Sequence, residues 1–385
     1  IAEHRVAKKD IWAERTVTFQ PDQKLAPVTI GIWDSGVDPN VFDKQLFTNP
    51  KEPTNGKDDD NNGFVDDVHG IAFDLDANPT PDLLHPLTDL KSDVPEMIRH
   101  MKGFMDLQSA VDSPEASEIK KVMAALKADQ VKSFVEDLGL FGNYAHGTHV
   151  AGIALDGNPA ARLLIARLTF DYHMIPMCPT PEWVQRTAAM YRKTAEYFKQ
   201  HDVRVVNMSW GEDRKTLESG LEKNGKGENA EKRAEMAREM FKVMRTGLLE
   251  AIQGAPDVLF IAAAGNSDND VEFDEMIPSG FDLPNLLVVG AVNQAGEPTG
   301  FTSFGRTVQV YANGFEVDSY IPGGKKLKFS GTSMASPNVA NLAAKLLALD
   351  PSLKPAQVID LIKRGADKVE GKRPMLLISP KKTVE

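Results

Sequence analysis

The sequence has a single cysteine, Cys178, so no disulfide bond can form within the chain. A chain without disulfides is typical of a reducing compartment, but many secreted enzymes also fold without them. The cysteine content therefore excludes a scaffold held together by disulfide bonds, but it does not indicate the cellular compartment. With 385 residues, 42% of them hydrophobic and 26% charged, the chain is large enough to bury a core without such staples.

Two further absences exclude whole classes of function. Basic residues are outnumbered, with 44 Lys and Arg against 55 Asp and Glu, and the net charge is −11. This balance excludes non-specific nucleic-acid binding, which needs a basic face for phosphate contacts. In addition, no apolar run approaches the roughly 20 residues of a membrane-spanning helix. We therefore expect neither a nucleic-acid partner nor a membrane span.

The chain begins with Ile1 rather than with methionine, and no signal peptide can be recognised in it. We interpret this start as the result of removing an upstream segment, either a signal peptide or a cleaved N-terminal proregion. The expected location is outside the cytoplasm, in the cell envelope or secreted, with the cytoplasm as the alternative.

Short apolar runs alternate with longer amphipathic stretches along most of the chain. Runs that are apolar on both faces are typical of parallel strands covered by helices on either side. The pattern predicts one doubly wound α/β domain over residues 1–385, with a mostly parallel sheet and helices on both faces. The predicted strands are residues 28–33, 163–168, 203–208, 258–264, 286–292 and 308–311, and the predicted helices are residues 181–201, 230–253, 334–349 and 355–364.

Two stretches do not fit the alternation and are predicted to be additions to the core. Residues 74–139 begin with a proline-rich segment and continue with apolar residues at helical spacing, which predicts an inserted, mostly helical subdomain. Residues 212–228 are highly charged and contain three glycines, which predicts a mobile surface loop insertion. Each stretch is either an addition at the surface without a functional role or a segment that affects activity.

The segment Gly-Thr-Ser-Met-Ala-Ser-Pro at 331–337 places Ser333 at the start of an apolar helix. The free N–H groups and the dipole of a helix start favour a developing negative charge. A serine before a helix is usually an N-cap, and Thr332 or Ser336 could fill that structural role equally well. A nucleophilic role for Ser333 therefore requires a nearby base.

The candidate base is His146, which opens the segment His-Gly-Thr-His-Val-Ala-Gly and is expected to point out of the first turn of a helix. His149 is the competing candidate, and we interpret it as a packed structural neighbour. The His-x-x-His spacing also fits a metal pair, but no third ligand lies nearby in the sequence.

The candidate orienting carboxylate is Asp34, which ends an apolar strand in the segment Ile-Trp-Asp-Ser-Gly-Val-Asp. Functional groups of α/β sheets collect at the carboxyl ends of the strands. A buried aspartate there would hold a histidine in one tautomer and stabilise its cation. Asp38, four residues on, is interpreted as a turn residue.

Together these three motifs resemble the subtilases, whose order of catalytic residues is also Asp, His, Ser. The resemblance covers almost the whole chain and implies that Asp34, His146 and Ser333 form the triad of a serine endopeptidase. The segment Ala-Ala-Ala-Gly-Asn at 262–266 resembles the one whose asparagine, here Asn266, completes the oxyanion hole. The substrates implied are peptides or proteins.

The resemblance also implies where a substrate binds. The segment 206–211 resembles the strand that pairs with the substrate backbone, through Ser209, Trp210 and Gly211. The primary specificity pocket is then walled by these residues and by Ala263, Ala264 and Gly265, with its base within residues 273–278. Small walls favour a medium or large apolar side chain at the cut site. The alternative is a basic side chain, suggested by the acidic run Asp268, Asp270, Glu272, Asp274 and Glu275.

The chain departs from the compact subtilases in one spacing. Asp34 and His146 lie 112 positions apart (146 − 34), where the compact members use a few dozen. Residues 74–139 account for the excess, so the surroundings of the cleft are expected to differ while the triad is retained.

Functions of other classes are disfavoured by specific residues. A binding module derived from this family would lack a triad or oxyanion residue, and a lipase would need a Gly-x-Ser-x-Gly elbow around Ser333. A carboxyl peptidase relative would carry an acid in place of His146. The sequence has none of these features.

Residues 58–67 carry five carboxylates, which predicts a calcium site. Alternate oxygens follow the first half of an EF-hand loop, but position 12 is His69 rather than a bidentate glutamate. Unscreened carboxylates at this density repel one another, although a solvated acidic turn is the alternative. The predicted ligands are Asp58, Asp60, Asn62, the Phe64 carbonyl, Asp66 and Asp67.

Overall fold

The computed structural model describes residues 9–371 and 373–385. The chain start at Ile1, on which the predicted removal of an upstream segment depends, lies outside the described residues. The strands are β1 (Val28–Asp34), β2 (Gly70–Phe73), β3 (Pro79–Thr80), β4 (Ala161–Arg167), β5 (Val203–Met208), β6 (Leu259–Ala263), β7 (Leu286–Val292), β8 (Val308–Asn313), β9 (Val317–Tyr320), β10 (Lys326–Phe329), β11 (Asp367–Val369) and β12 (Met375–Leu377).

Ten of these strands form one sheet in the order β11-β12-β8-β7-β6-β5-β1-β4-β2-β3, and β9 pairs with β10 in a separate hairpin. All neighbours from β12 to β2 are parallel, and only the two edge pairs are antiparallel. The fold is therefore a doubly wound, mostly parallel α/β fold, as predicted.

The helices are α1 (Val94–Gln108), α2 (Pro114–Ala125), α3 (Ala128–Leu155), α4 (Pro181–Gln200), α5 (Arg214–Lys223), α6 (Ala230–Gln253), α7 (Thr332–Leu349), α8 (Pro355–Gly365) and α9 (Pro380–Val384). Alternate strand residues reach two separate cores. Ile30 and Ile32 of β1 join the core beneath α3 and α7, whereas Trp33 joins the core beneath α4 and α6. Both faces of the sheet are therefore covered, which explains why its strands are apolar throughout. No helix of the described residues is both long and apolar enough to span a bilayer.

The prediction of an unbroken loop over residues 212–228 is wrong for its first part. Helix α5 occupies Arg214–Lys223, and Asp213 caps it by accepting a hydrogen bond from the Thr216 N–H at 2.7 Å. Leu217 and Leu221 are buried in the core beneath α4 and α6. Because these two leucines lie four residues apart, they mark one helical face that the surrounding charges obscured.

The predicted insertion, residues 74–139, is irregular up to Asp93 apart from β3, and helical from Val94 onward through α1, α2 and the start of α3. Helix α3 does not end with the insertion but continues to Leu155. His146 thus lies well inside a long helix that begins at Ala128, and its predicted place in a first turn is wrong. The residues before it, Leu138, Phe141 and Ala145, are buried and extend the helix toward its N-terminus.

Candidate active site

Four segments meet at the carboxyl edge of the sheet. Asp34 is the last residue of β1, Ser209 directly follows β5, and Asn266 lies three residues after β6. These strands are neighbours in the sheet, in the order β6-β5-β1. Ser333 is the second residue of α7, which packs against the same strands. Parallel strands end at one edge, so the topology brings together residues that are distant in sequence.

Asp34 and His146 form a buried hydrogen bond. The His146 Nδ1–H donates to Asp34 Oδ1 across 2.6 Å, and the same oxygen accepts the Ser35 N–H at 2.7 Å. Asp34 is only 1% exposed, whereas the His146 side chain is 27% exposed. Since the carboxylate only accepts hydrogen bonds, the proton of neutral His146 stays on Nδ1 and its Nε2 lone pair is left to accept a proton.

The environment also tunes the charge of His146. Burial opposes the imidazolium, but the negative charge of Asp34 and the hydrogen bond to it outweigh that effect and raise the pKa of His146 above its ordinary value. The interaction with Asp34 therefore stabilises the protonated form of His146.

Glycines allow the two segments to approach so closely. A Cβ added to Gly147 would lie 2.2 Å from the Gly36 carbonyl oxygen, and Gly36 itself has a φ of +117°. A side chain at Gly147 would push α3 away from the segment that follows Asp34, whereas a side chain at Gly36 would meet the Leu83 carbonyl oxygen at 2.8 Å. Gly147 is therefore required by the close approach of the two segments, and Gly36 by its backbone conformation and its contact with Leu83.

His149 is structural, as predicted. Its Nε2–H donates to the Leu327 carbonyl at 2.9 Å, and its ring stacks on Phe329 with 4.5 Å between centroids. Burial is the main cause that lowers the pKa of His149 to about 3. The ring is therefore neutral at physiological pH, and one of its two nitrogens is occupied by the hydrogen bond to Leu327.

Ser333 is half-buried at the start of α7. No side chain caps this helix start, so the N-cap role considered for Ser333 and Thr332 is not realised. The Ser333 hydroxyl donates to the Ser209 carbonyl at 3.1 Å. Among the hydrogen bonds of the described residues, none joins Ser333 Oγ to His146. The Ser209 hydroxyl in turn donates to the Ser333 carbonyl at 2.9 Å and contacts Ser336.

The amide of Asn266 has a fixed orientation. Its Oδ1 accepts the Thr332 N–H at 2.8 Å and the Thr332 hydroxyl at 3.0 Å. Because a backbone N–H can only donate, the atom facing Thr332 must be the amide oxygen. A Cβ added to Gly331 would lie 3.4 Å from Asn266 Nδ2 and 3.7 Å from the backbone nitrogen of Ser333. Two N–H donors therefore border the same small space.

A cavity of about 340 Å³ adjoins His146. The predicted substrate-binding residues Ser209, Trp210 and Gly211 line it, whereas Ala263, Ala264 and Gly265 do not. The insertion also contributes to its walls, through Met101 and Met105 of α1 and through the first half of α3. Sequence reasoning missed these methionines, since a pair at i and i+4 indicates a buried helix face and says nothing about a cleft. Phe170 and Phe329, also in the wall, were missed as well.

Ala263 and Ala264 are buried at the end of β6 and just after it, and the Gly265 N–H donates to the Thr332 hydroxyl at 3.1 Å. The predicted pocket base is close to Gly211, since a Cβ there would lie 3.0 Å from the Ile277 carbonyl oxygen. Phe273, at the start of the predicted base, is 87% exposed and points into solvent.

The acidic loop forms two groups of ligand atoms within 4.8 Å, one of Glu52, Asp58 and Asp60 and one of Asp60, Asp67 and His201. The six predicted ligands do not form one set. The Asp66 carboxylate turns away to accept the backbone N–H groups of Asn55 and Gly56. Asn62 Nδ2 donates to Asp67 at 2.9 Å, its Oδ1 accepts the Phe64 N–H, and the Phe64 side chain is buried in the core beneath α4 and α6.

Sequence reasoning missed two ligand candidates, His201 and Glu52, and Glu52 is the more deeply buried. It is only 3% exposed, and its Oε2 has no hydrogen-bond partner among the described residues. It lies outside the acidic run, so no spacing rule identifies it. A buried carboxylate oxygen without a donor is costly unless a cation is close.

Comparison with known proteins identifies the family of this chain. A family model described as the subtilase family matches residues 26–377. A subtilisin from Bacillus pumilus is 36% identical over 110 residues, which are 28% of this chain and 39% of that protein. Subtilisin-like protease 7 from Trichophyton equinum is 41% identical over 108 residues, which are 28% of this chain and 26% of that protein.

A solved structure of a cold-adapted subtilisin-like serine proteinase aligns with a TM-score of 0.49 at 18% identity and covers 95% of this chain and 94% of its own. The curated relatives are matched over a smaller part, between 26% and 39% of their length. The family model spans most of the chain, and the chain therefore belongs to the subtilase family of serine peptidases.

Proposed function

We propose that this chain is a serine endopeptidase that cleaves peptides through an acyl-enzyme on Ser333. The observation that carries the proposal is the 2.6 Å hydrogen bond from His146 to the buried Asp34, at the sheet edge where Ser333 also lies. Peptide and protein substrates are the partners. The removed proregion and a location outside the cytoplasm stay predictions.

In the proposed reaction His146 Nε2 takes the hydroxyl proton of Ser333 as Oγ attacks the peptide carbonyl. Asp34 stabilises the imidazolium, in keeping with the raised pKa of His146. Asn266 Nδ2 and the Ser333 N–H are the donors for the tetrahedral oxyanion. His146 then protonates the leaving amine, and water hydrolyses the ester. The Ser333 hydroxyl must first turn from the Ser209 carbonyl toward His146, a rotation about one side-chain bond.

For the substrate, we propose an extended peptide that pairs with Ser209–Gly211 and places a medium or large apolar side chain at the cut site. The acidic run offers little support for a basic preference at that position. Within it, Asp268 binds Arg373, Glu272 binds Arg306 and Asp274 binds Lys215, at distances of 2.7 to 3.0 Å. These carboxylates are already neutralised by cations of the chain.

We also propose that the acidic loop holds a structural calcium ion, with Glu52, Asp58 and Asp60 as the first ligands and Asp67 close by. Carboxylate oxygens are the donors that Ca²⁺ prefers. The buried Glu52 Oε2 without a partner fits a cation at this position. The ion would stabilise the loop and takes no part in the reaction.

Labelling with phenylmethylsulfonyl fluoride followed by intact mass tests the enzyme proposal. We expect one adduct in the wild type, located on Ser333, together with loss of cleavage of a mixed peptide library. Ser333→Ala should show neither adduct nor cleavage while keeping its fold. Ser336→Ala is the matched control, since Ser336 lies on the same helix, is buried and has no role in the proposed reaction. An unlabelled, inactive wild type would indicate a binding module instead.

A further inference from the structure

Glu212 directly follows the three residues proposed to pair with substrate. Its backbone bonds Ile277 in both directions, with the N–H of each residue donating to the carbonyl of the other at 2.9 and 3.0 Å. This antiparallel bridge fixes the position of Glu212 and leaves only its side chain for other contacts. The side chain is half-buried.

Glu212 lines a small cavity of about 50 Å³ together with Tyr191, and it also lines a cavity of about 540 Å³ between the loop 169–179 and helix α5. Phe170 lines both this cavity and the one beside His146, so the two cavities adjoin at that ring. Leu75, Trp183 and Leu217 give the larger cavity apolar walls. A peptide that pairs with Ser209–Gly211 and continues past Phe170 would enter the larger cavity.

Most of the charged groups around Glu212 bind other residues. Asp171 accepts hydrogen bonds from His173 at 2.7 Å and from the Met177 N–H at 2.6 Å. Asp213 caps α5, and Lys215 pairs with Asp274 at 2.8 Å. Lys223, on the last turn of α5, is exposed and also lines the cavity.

No hydrogen bond or ion pair of the described residues involves the Glu212 carboxylate. Burial, and then the charge of Asp213, raise the pKa of Glu212 to about 7. An ionised carboxylate in such a half-apolar cavity is stabilised when a cation binds it. The long apolar stems of lysine and arginine suit the apolar walls, while their charged ends would reach the carboxylate.

We propose that Glu212 is a specificity residue that binds a lysine or arginine side chain of the substrate, away from the cleaved bond. This inference rests on the proposed peptidase function. Ser333 contacts Ser209, and Glu212 lies three residues further along the chain, which is at most about 10 Å at roughly 3.3 Å per residue. The basic side chain is therefore expected three or four residues from the cleaved bond.

The test uses peptides with one fixed apolar cut site and a single lysine moved through five positions on each side, with norleucine as the neutral comparison. We expect one position at which lysine raises kcat/KM about tenfold, the effect of one partly shielded charged hydrogen bond. Glu212→Gln should abolish this preference and leave cleavage of the norleucine peptides unchanged. Glu218→Gln is the matched control, because Glu218 lies on α5 but does not line the cavity.

The preference should also depend on pH. Because the pKa of Glu212 is raised to about 7, the carboxylate ionises between pH 6 and pH 8, and the lysine preference should grow over that interval. His173 also lines the cavity. The decisive comparison is therefore with Glu212→Gln, in which the pH dependence of the preference should vanish.

The outcomes separate the two proposals. If no peptide is cleaved, the proposed function itself is wrong. If the peptides are cleaved but lysine gives no advantage at any position, or Glu212→Gln keeps the advantage, Glu212 has no role in specificity while the peptidase function stands.

Discussion

The hydrogen bond from the Thr332 N–H to Asn266 Oδ1 determines where the Nδ2 group at the other side of the amide points. With Oδ1 bound to Thr332, only Nδ2 faces the space that the Ser333 nitrogen also borders. The motif around Asn266 suggested its role by resemblance, but the orientation of the amide required the structure, since a sequence does not specify a rotamer. The same limit applies to Ser333, whose motif was recognisable although the direction of its hydroxyl was not.

Asn266→Ala should lower kcat by about two to three orders of magnitude with little change in KM, which is the loss known for this donor in subtilisins. Steady-state kinetics on one apolar peptide measures it. Asn266→Asp is the matched variant, because it keeps an oxygen for the Thr332 N–H but loses the donor, and it should be at least as impaired. An alanine variant with wild-type kcat would exclude Nδ2 from the oxyanion site.

At the scale of elements, the central strands were predictable to within two residues because helices bury both of their faces. The strands β2, β3, β11 and β12 were not predicted, since each of them is only two to four residues long. Helix α5 was missed because its two buried leucines lie among charged residues. The continuity of α3 was missed as well, because the insertion was predicted to end at residue 139 and His146 to lie in the first turn of a helix. In the structure, Gly139 lies against Tyr172 and Gly142 close to Met101.

The insertion is tied to the cleft by specific contacts. Met101 and Met105 of α1 reach the cavity beside His146, and the buried Asp137 of α3 holds the segment before α1 through the Lys91 and Ser92 N–H groups and the Ser92 hydroxyl. Such a wall beside His146 is expected to obstruct a folded substrate more than a short peptide, which can enter as a single strand.

Replacing residues 94–125 with a short Gly/Ser linker should therefore raise cleavage of a folded protein relative to cleavage of a six-residue peptide. The ratio of the two kcat/KM values is the measurement, after circular dichroism has verified the fold. Asp137→Ala tests the same idea without a deletion, because it frees the segment before α1, and it should change the ratio in the same direction. Equal effects on both substrates would mean that the insertion serves stability alone.

For the whole molecule, an ion bound by the acidic loop would raise the free energy of unfolding. Its ligand candidates come from two distant parts of the chain. Four of them precede β2, namely Glu52, Asp58, Asp60 and Asp67, whereas His201 directly follows α4. The acidic run suggested a metal site, but it did not specify the grouping of the carboxylates, because Asp66 accepts the backbone N–H groups of Asn55 and Gly56 and Glu52 lies outside the run.

An ion that binds only the folded chain raises the free energy of unfolding by RT ln(1 + [Ca²⁺]/Kd), about 2.7 kcal/mol at a hundredfold excess over Kd. Thermal unfolding in calcium and then in excess chelator should therefore differ by about 5 °C in midpoint. Asp60→Asn, which alters a member of both ligand groups, should remove most of that difference, whereas Asp66→Asn should keep it. Titration calorimetry of the metal-free wild type should show binding. Identical midpoints in calcium and chelator, with no heat of binding, would leave residues 58–67 a solvated acidic turn.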